Sequence, residues 1–307
     1  MTRLVIDTDP GVDDAHAILA AFAHPRARIE AITTVMGNAP LEQTTANACT
    51  ILDVLGQDVP VYAGCGSPMV ADYLEAAYYH GADGLGESGY PPSPRRVEDE
   101  HAVNALIRMA SEAPGELTLV AIGPLTNVAL AMRLDPTLPG KFRQLVVMGG
   151  CARGPGNVTP AAEFNVYCDP EAAAVVLGAW PGLTLVPWEA ARDHAFSAEQ
   201  LAALLSIDSP RAEFFRRITR RVISVNEQLG RGRTLYVPDL LATAVALEPD
   251  IVQHVETHAV LVETAGNHTR GHTTVDWLNR TGREPNVNLV LEVDRERLWE
   301  MMRAALR

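Results

Sequence analysis

An α/β fold is predicted, with one mostly parallel central sheet and helices on both of its faces, and three observations predict it. Short apolar strands alternate with longer amphipathic or Ala-rich stretches through the first two thirds of the 307 residues. Several strand segments are near-continuous apolar runs, such as Leu117-Thr118-Leu119-Val120-Ala121-Ile122, the pattern of parallel strands covered on both sides. No stretch rich in Gly, Pro or Ser cuts the chain and no internal repeat appears, so one domain over 1–307 is expected.

In chain order, the apolar runs place strands at 4–7, 29–34, 60–63, 117–122, 144–148 and 183–187. Helices are predicted between them at 14–22, 41–55, 100–113, 125–133 and 170–177. The later part reads as more helical: one continuous helix over 198–229, another over 239–247, strands at 255–263 and 287–293, and a last helix over 295–305. The loop 80–98 carries Gly81, Gly84, Gly86, Gly89 and three prolines. It is too long for an ordinary connection, and loops of that length are lids, binding loops or disordered segments.

Composition narrows the partners. A chain of this length buries roughly three quarters of its unfolded surface and needs no disulfide or metal to stay folded. The net charge is −13, with Lys141 the single lysine. A field of that sign repels phosphate backbones, which argues against nucleic acid and anionic membranes and favours a small neutral molecule or a cation. Cys49, Cys65, Cys151 and Cys168 show no Cys-x-x-Cys spacing, so neither a thiolate metal site nor a disulfide scaffold is expected. No run approaches the ~18 apolar residues of a membrane span. Leu4-Val5-Ile6 opens a strand without a charged-then-apolar leader, and a cytoplasmic protein is the expectation.

Asp7, Asp9, Asp13 and Asp14 put four carboxylates within eight residues, directly after the first strand. Ligands of open α/β sheets sit beyond the carboxyl ends of the strands. Like charges this close repel, and a cation holds them all ionised. Pro10-Gly11 supplies a turn that folds Asp13 and Asp14 back toward Asp9. A helix N-cap with solvated neighbours explains one or two of these acids, not four. An all-oxygen cluster favours Ca²⁺ or Mg²⁺ over zinc.

The string Asp7-Thr8-Asp9-Pro10-Gly11-Val12-Asp13-Asp14-Ala15 resembles the amino-terminal fingerprint of the inosine–uridine-preferring nucleoside hydrolase family. Other segments are similar to family segments in the same order: Val35-Met36-Gly37-Asn38, His80-Gly81, Gly123-Pro124-Leu125-Thr126-Asn127, Met148-Gly149-Gly150, Asn157 with Glu163-Phe164-Asn165, Asp239, and Pro285-Asn286-Val287. The resemblance covers nearly the whole chain. It implies a nucleoside hydrolase-like fold with a Rossmann-like core and a helical C-terminal part. It also implies cleavage of ribonucleosides to ribose and free base by a Ca²⁺-bound water that Asp9 activates.

Carried over by position, the resemblance makes Asp9, Asp14, Asp239 and the carbonyl of Ile122 calcium ligands. Asp13, Asn38, Asn157, Glu163 and Asn165 would hold the ribose hydroxyls, with Met148 approaching the sugar. A homodimer or homotetramer follows by analogy alone. The chemistry of the residues agrees, since a hard cation taking about six to eight oxygens can accept both vicinal hydroxyls of a ribose. Glu163 and Asn165, two apart, would share a face of an extended segment.

One departure stands out. Many family members carry His or Trp just before the late Asp, where this chain has Pro238. Proline neither donates a proton nor stacks like an indole. His80 is then the candidate for helping the base leave, with Asn226, Gln228, Arg231, Arg233 and Tyr236 as further base contacts.

Two alternatives compete. Ile6-Asp7-Thr8-Asp9 also resembles the start of haloacid-dehalogenase-like Mg²⁺-dependent phosphohydrolases, but Gly11 stands where Thr or Val is expected and Lys141 lacks the fitting context. A calcium-dependent nucleoside or sugar binder without turnover is the other, against which the retained Asp9 argues.

Overall fold

The computed structural model describes residues 1–307. Its centre is β1 (Thr2–Thr8), whose last five residues are buried. β2 (Ala27–Thr34) and β3 (Val61–Ala63) extend the sheet on one side of it. β4 (Leu117–Ala121), β5 (Gln144–Met148) and β6 (Leu183–Val186) extend it on the other. β7 (Val252–His258) and β10 (Val287–Val293) complete eight strands in the order β3-β2-β1-β4-β5-β6-β10-β7. All neighbours pair in parallel except β10 and β7, which are antiparallel at the edge. The expected mostly parallel sheet is present.

Strand alternation explains the continuous apolar runs. Leu4, Ile6, Val120, Val146 and Met148 point into one core, and Val5, Leu119, Ala121, Leu145 and Val147 into the other. Each face therefore needs its own helical cover. α1 (Val12–Ala23) and α2 (Leu41–Leu55) lie on the first face, with α9 (Ala198–Leu205), α10 (Pro210–Gln228), α11 (Pro238–Leu247) and α12 (Arg295–Ala305). α4 (Ala102–Glu112), α5 (Thr126–Leu134) and α7 (Pro170–Ala179) cover the second. Three short helices, α3 (Ala77–His80), α6 (Phe164–Cys168) and α8 (Trp188–Asp193), were not foreseen.

Two expectations need correction. The helix over 198–229 is two helices, because Ser209 is extended (φ −159°, ψ 162°) ahead of Pro210, which opens α10 at its first position. The strand over 255–263 divides because its halves find different partners: β7 pairs with β10, whereas β8 (Val260–Val262) pairs with β9 (Thr273–Val275) in a separate two-stranded sheet. The strand expected over 287–293 is present as β10, which returns to the main sheet between β6 and β7.

The loop 80–98 is pinned rather than loose. The Arg217 guanidinium on α10 donates to the Ser88 carbonyl and lies 4.5 Å from the ring centre of Tyr90. At Gly86 a Cβ would stand 2.1 Å from the Ile218 carbonyl, so only glycine permits this approach. No helix is long and apolar enough to cross a membrane.

Candidate functional site

The chain runs outward from β1 through β2 to β3, then returns to place β4, β5 and β6 on the other side. The sheet therefore has its topological switch point between β1 and β4, where α/β sheets open a crevice at the carboxyl ends of the strands. A cleft of about 750 Å³, counting its open mouth, lies there. Asp13, Asn38, His80, Ile122, Met148, Asn157, Glu163, Asn165 and Asp239 all line it. Seven separate parts of the sequence are thus brought to one place.

Asp13 and Asp14 stand in the first turn of α1, and Asp239 in the first turn of α11 behind Pro238. One oxygen from each lies within 4.8 Å of the other two. The partial positive ends of both helices therefore meet the acids. Pro238 suits its place, because the first helical position loses nothing by lacking an N–H. Asp14 is the most constrained of the three. It accepts from the Thr8 hydroxyl, from the Gly11 amide at 2.9 Å and from Asn38 Nδ2 at 3.0 Å.

Asp9 lies beside this triad rather than within it. Its Oδ2 accepts from the Asn38 amide at 2.7 Å, whereas Oδ1 is buried with no hydrogen-bond partner. Two glycines make the room: a Cβ at Gly37 would fall 2.0 Å from Oδ2, and one at Gly123 would fall 2.6 Å from Oδ1. Asp7, by contrast, is part of the scaffold. Its Oδ1 accepts from Thr33 Oγ1 at 2.6 Å and Asn127 Nδ2 at 2.9 Å, which ties β1 to β2 and α5.

Burial, joined by repulsion at Asp9, Asp14 and Asp239, raises the pKa values of these acids. Asp13 and Asp14 are pushed up to about 6. Asp9 and Asp239 stand well above the usual carboxylate range. A protein that packs four acids this way lowers its own stability unless a cation joins them. The unpaired Oδ1 atoms of Asp9 and Asp13 are further unsatisfied acceptors at the same place. The residues therefore fit a hard, oxygen-seeking divalent ion.

The sugar-side residues are less extended than expected. Glu163 caps α6, accepting from the amides of Gly150 (2.8 Å), Asn165 (2.8 Å) and Val166 (3.1 Å). Asn165 is consequently helical, and its Nδ2 donates to the Ile122 carbonyl at 2.9 Å while lying 3.4 Å from Met148 Sδ. Burial still lifts Glu163 to about 7. Asn157 Oδ1 accepts from the Phe164 amide at 2.9 Å, so it too braces the turn that carries Glu163.

The cleft is also lined by Val12, His16, Tyr78, Tyr79, His80, Trp188, Val222, Arg231, Leu235, Tyr236 and Pro238. His80 Nδ1 accepts from the Val12 amide at 3.1 Å, so its proton resides on Nε2. Asn226 is not a wall of the cleft. It is buried, accepting from the Tyr79 hydroxyl at 3.3 Å and donating to the Thr234 carbonyl at 3.1 Å, and so joins two segments of that wall. Gln228 and Arg233 also lie outside it. His16 and Tyr79 were missed from the sequence; helical spacing from Asp13 was a signal that could have found His16. Lys141 pairs with Asp135 at 2.6 Å and takes no part in the cleft, which removes the lysine a phosphohydrolase would use.

The charge cluster sets a pH dependence for the metal-free protein. Buried His16 and His80 are held down, to about 3 and about 4, and have largely finished titrating in both folded and unfolded states above pH ~7.5. Above that pH, only Glu163, Asp9 and Asp239 among the raised groups still hold protons in the folded state. The folded state then binds more protons than the unfolded one, so stability falls as pH rises. Thermal melts of chelated protein are expected to drop by several degrees between pH ~7.5 and ~9. Excess Ca²⁺ should flatten that slope; melts equally steep with and without the ion would contradict the cluster's role.

A model of the family described as inosine–uridine preferring nucleoside hydrolase matches residues 4–300. The inosine–uridine preferring nucleoside hydrolase of Crithidia fasciculata is 33% identical over 307 residues, covering 99% of this chain and 97% of that protein. A pyrimidine-specific ribonucleoside hydrolase of Escherichia coli O1:K1 is 33% identical over 308 residues, with 99% and 97% covered. A solved inosine–guanosine nucleoside hydrolase superposes with a TM-score of 0.93 at 35% identity, covering 100% of this chain and 99% of the other.

Proposed function

The chain belongs to the inosine–uridine preferring nucleoside hydrolase family and is an N-glycosyl hydrolase, and from that premise we propose that it cleaves ribonucleosides to ribose and free base with Asp9 as general base. The observation that carries this reading is the meeting of Asp13, Asp14 and Asp239 beside Asp9 at the switch point. Asp9, Asp14, Asp239 and the Ile122 carbonyl would hold Ca²⁺. When bound, the ion supplies a Lewis acid for a water and an anchor for the ribose hydroxyls.

As a carboxylate, Asp9 takes a proton from water at Oδ1, the oxygen that no protein group occupies. The water oxygen bonds to the anomeric carbon as the glycosidic bond breaks, and the bonding pair leaves with the base. Charge building on the sugar is met by Asp13 and Glu163. Asn38, Asn157 and Asn165 supply amides to orient the hydroxyls, with Met148 against the ring. No side-chain nucleophile is required.

His80 would aid departure as a neutral donor through Nε2, since burial keeps its ring uncharged near neutrality. His80→Ala is expected to reduce kcat on ordinary nucleosides roughly 10²-fold, and far less on a p-nitrophenyl riboside whose leaving group needs no help. Equal losses on both substrates would remove that role.

A homo-oligomer and a cytoplasmic location accompany this proposal by analogy with the family. Its direct test is a panel of ribonucleosides assayed for free ribose, with and without a calcium chelator. Ribose release that stops on chelation and returns with Ca²⁺ supports it; sugar binding without release would favour a binder.

A further inference from the structure

The hydrogen bond that sets Asp9 comes from a turn that cannot brace itself. The Asn38 amide donates to Asp9 Oδ2 at 2.7 Å, and its peptide unit begins at the Gly37 carbonyl. A Cβ at 37 would fall 2.0 Å from Oδ2, so the position is held to glycine and offers no side chain to pack. The Gly37 carbonyl and the Asn38 amide are opposite ends of one planar group, so a partner on the carbonyl sets the tilt of the amide. That partner is Tyr73, whose hydroxyl donates to the Gly37 oxygen at 3.3 Å.

Tyr73 belongs to the segment between β3 and α3, which is tied down on both sides of it. The Met69 amide donates to Asp169 Oδ2 at 2.9 Å, and the Ala76 amide donates to the Asn38 carbonyl at 3.2 Å. Leu74 packs with Ala76, Phe164 and Cys168 in a small apolar cluster apart from the two cores. The segment therefore touches both the turn that orients Asp9 and the helix that Glu163 caps. Burial, with Glu75, Cys168 and Asp9 nearby, holds the Tyr73 hydroxyl above its usual pKa, so it keeps its proton and donates. Tyr73 is 36% exposed and lies outside the cleft lining, so its reach to the site runs through the peptide. Hydrogen bonds in such a series reinforce one another.

Resting on the hydrolase reading above, we propose that Tyr73 is a positioning residue of the reaction. Through the peptide that joins Gly37 to Asn38 it holds Asp9 Oδ2, and so keeps Oδ1, the oxygen without a protein partner, turned toward the attacking water. Without the hydroxyl the peptide is free to tilt, and the base drifts out of line with the water. Such a misplacement costs rate without costing affinity for the substrate.

The test measures kcat and KM for wild type, Tyr73→Phe, Asp9→Asn and the double variant. A p-nitrophenyl riboside beside ordinary ribonucleosides keeps the slow variants measurable. Tyr73→Phe retains the ring and removes only the hydroxyl. It is expected to lower kcat roughly 10-fold, with KM within about twofold and Tm within about 2 °C of wild type. In the Asp9→Asn background the same change should cost less than about twofold, because no base is left to position. An equal loss in both backgrounds would make Tyr73 a structural residue and overturn the assignment. Wild-type kcat in Tyr73→Phe, or a loss carried by KM alone, overturns it too, and each of these leaves hydrolysis standing. Release of ribose from no ribonucleoside by wild type overturns the hydrolase reading itself, and this inference with it.

Discussion

Asp9→Asn is expected to lower kcat by roughly 10³-fold or more while the protein stays folded. Asparagine keeps an oxygen for the Asn38 amide that Asp9 Oδ2 now accepts at 2.7 Å, so the turn after β2 retains its anchor. What disappears is the group that takes the proton from water. KM should change much less than kcat, because the interaction lost belongs to the transition state. The metal-free variant should also melt higher than the metal-free wild type, since Asp13 and Asp14 no longer face a third buried carboxylate. Near-wild-type turnover in Asp9→Asn would leave water activation without its base. Steady-state kinetics with ribose detection, beside thermal melts, checks both halves.

Asp239→Ala is expected to move stability and activity in opposite directions. Asp239 is held well above the usual carboxylate range by burial and by repulsion from Asp13, Asp14 and Asp9. Deleting it relieves that repulsion, so the chelated variant should be more stable than chelated wild type despite the small space left. Calcium affinity should fall by about 10²-fold or more, and with it the stabilisation by Ca²⁺ and the catalytic rate. The opposite result, a less stable apoprotein with normal calcium binding, would make Asp239 a structural residue. Calcium titration followed by calorimetry separates the outcomes.

The parts of this molecule that were legible in the sequence share one property: a local pattern forces the outcome. Alternating burial on two faces makes β4 and β5 apolar throughout, so strands of a covered parallel sheet could be read directly. Four acids next to Pro10-Gly11 could hardly be anything but a turn that gathers charge. The family resemblance then named partners such as Asp239, 225 positions beyond Asp14, that no local pattern could reach.

What stayed hidden depends on tertiary partners. Glu163 and Asn165 looked like an extended pair because spacing alone does not reveal that Glu163 receives three backbone amides and starts a helix. Asp7 counted as a fourth active acid until Thr33 and Asn127 showed it to be a strap between strands. Asn226 seemed a base contact, yet the Tyr79 hydroxyl and the Thr234 carbonyl occupy its amide. Ser209-Pro210 did carry a local signal for the break between α9 and α10, and the long amphipathic pattern around it masked that signal.

A crystal of the protein grown with excess Ca²⁺ and a non-hydrolysable ribonucleoside analogue tests the central claim most directly. One ion should appear with oxygens of Asp9, Asp14, Asp239 and the Ile122 carbonyl at roughly 2.3–2.6 Å, the ribose diol completing its shell. No ion there, with Asn165 still donating to Ile122 and the carboxylates protonated and turned from the sugar, would contradict it.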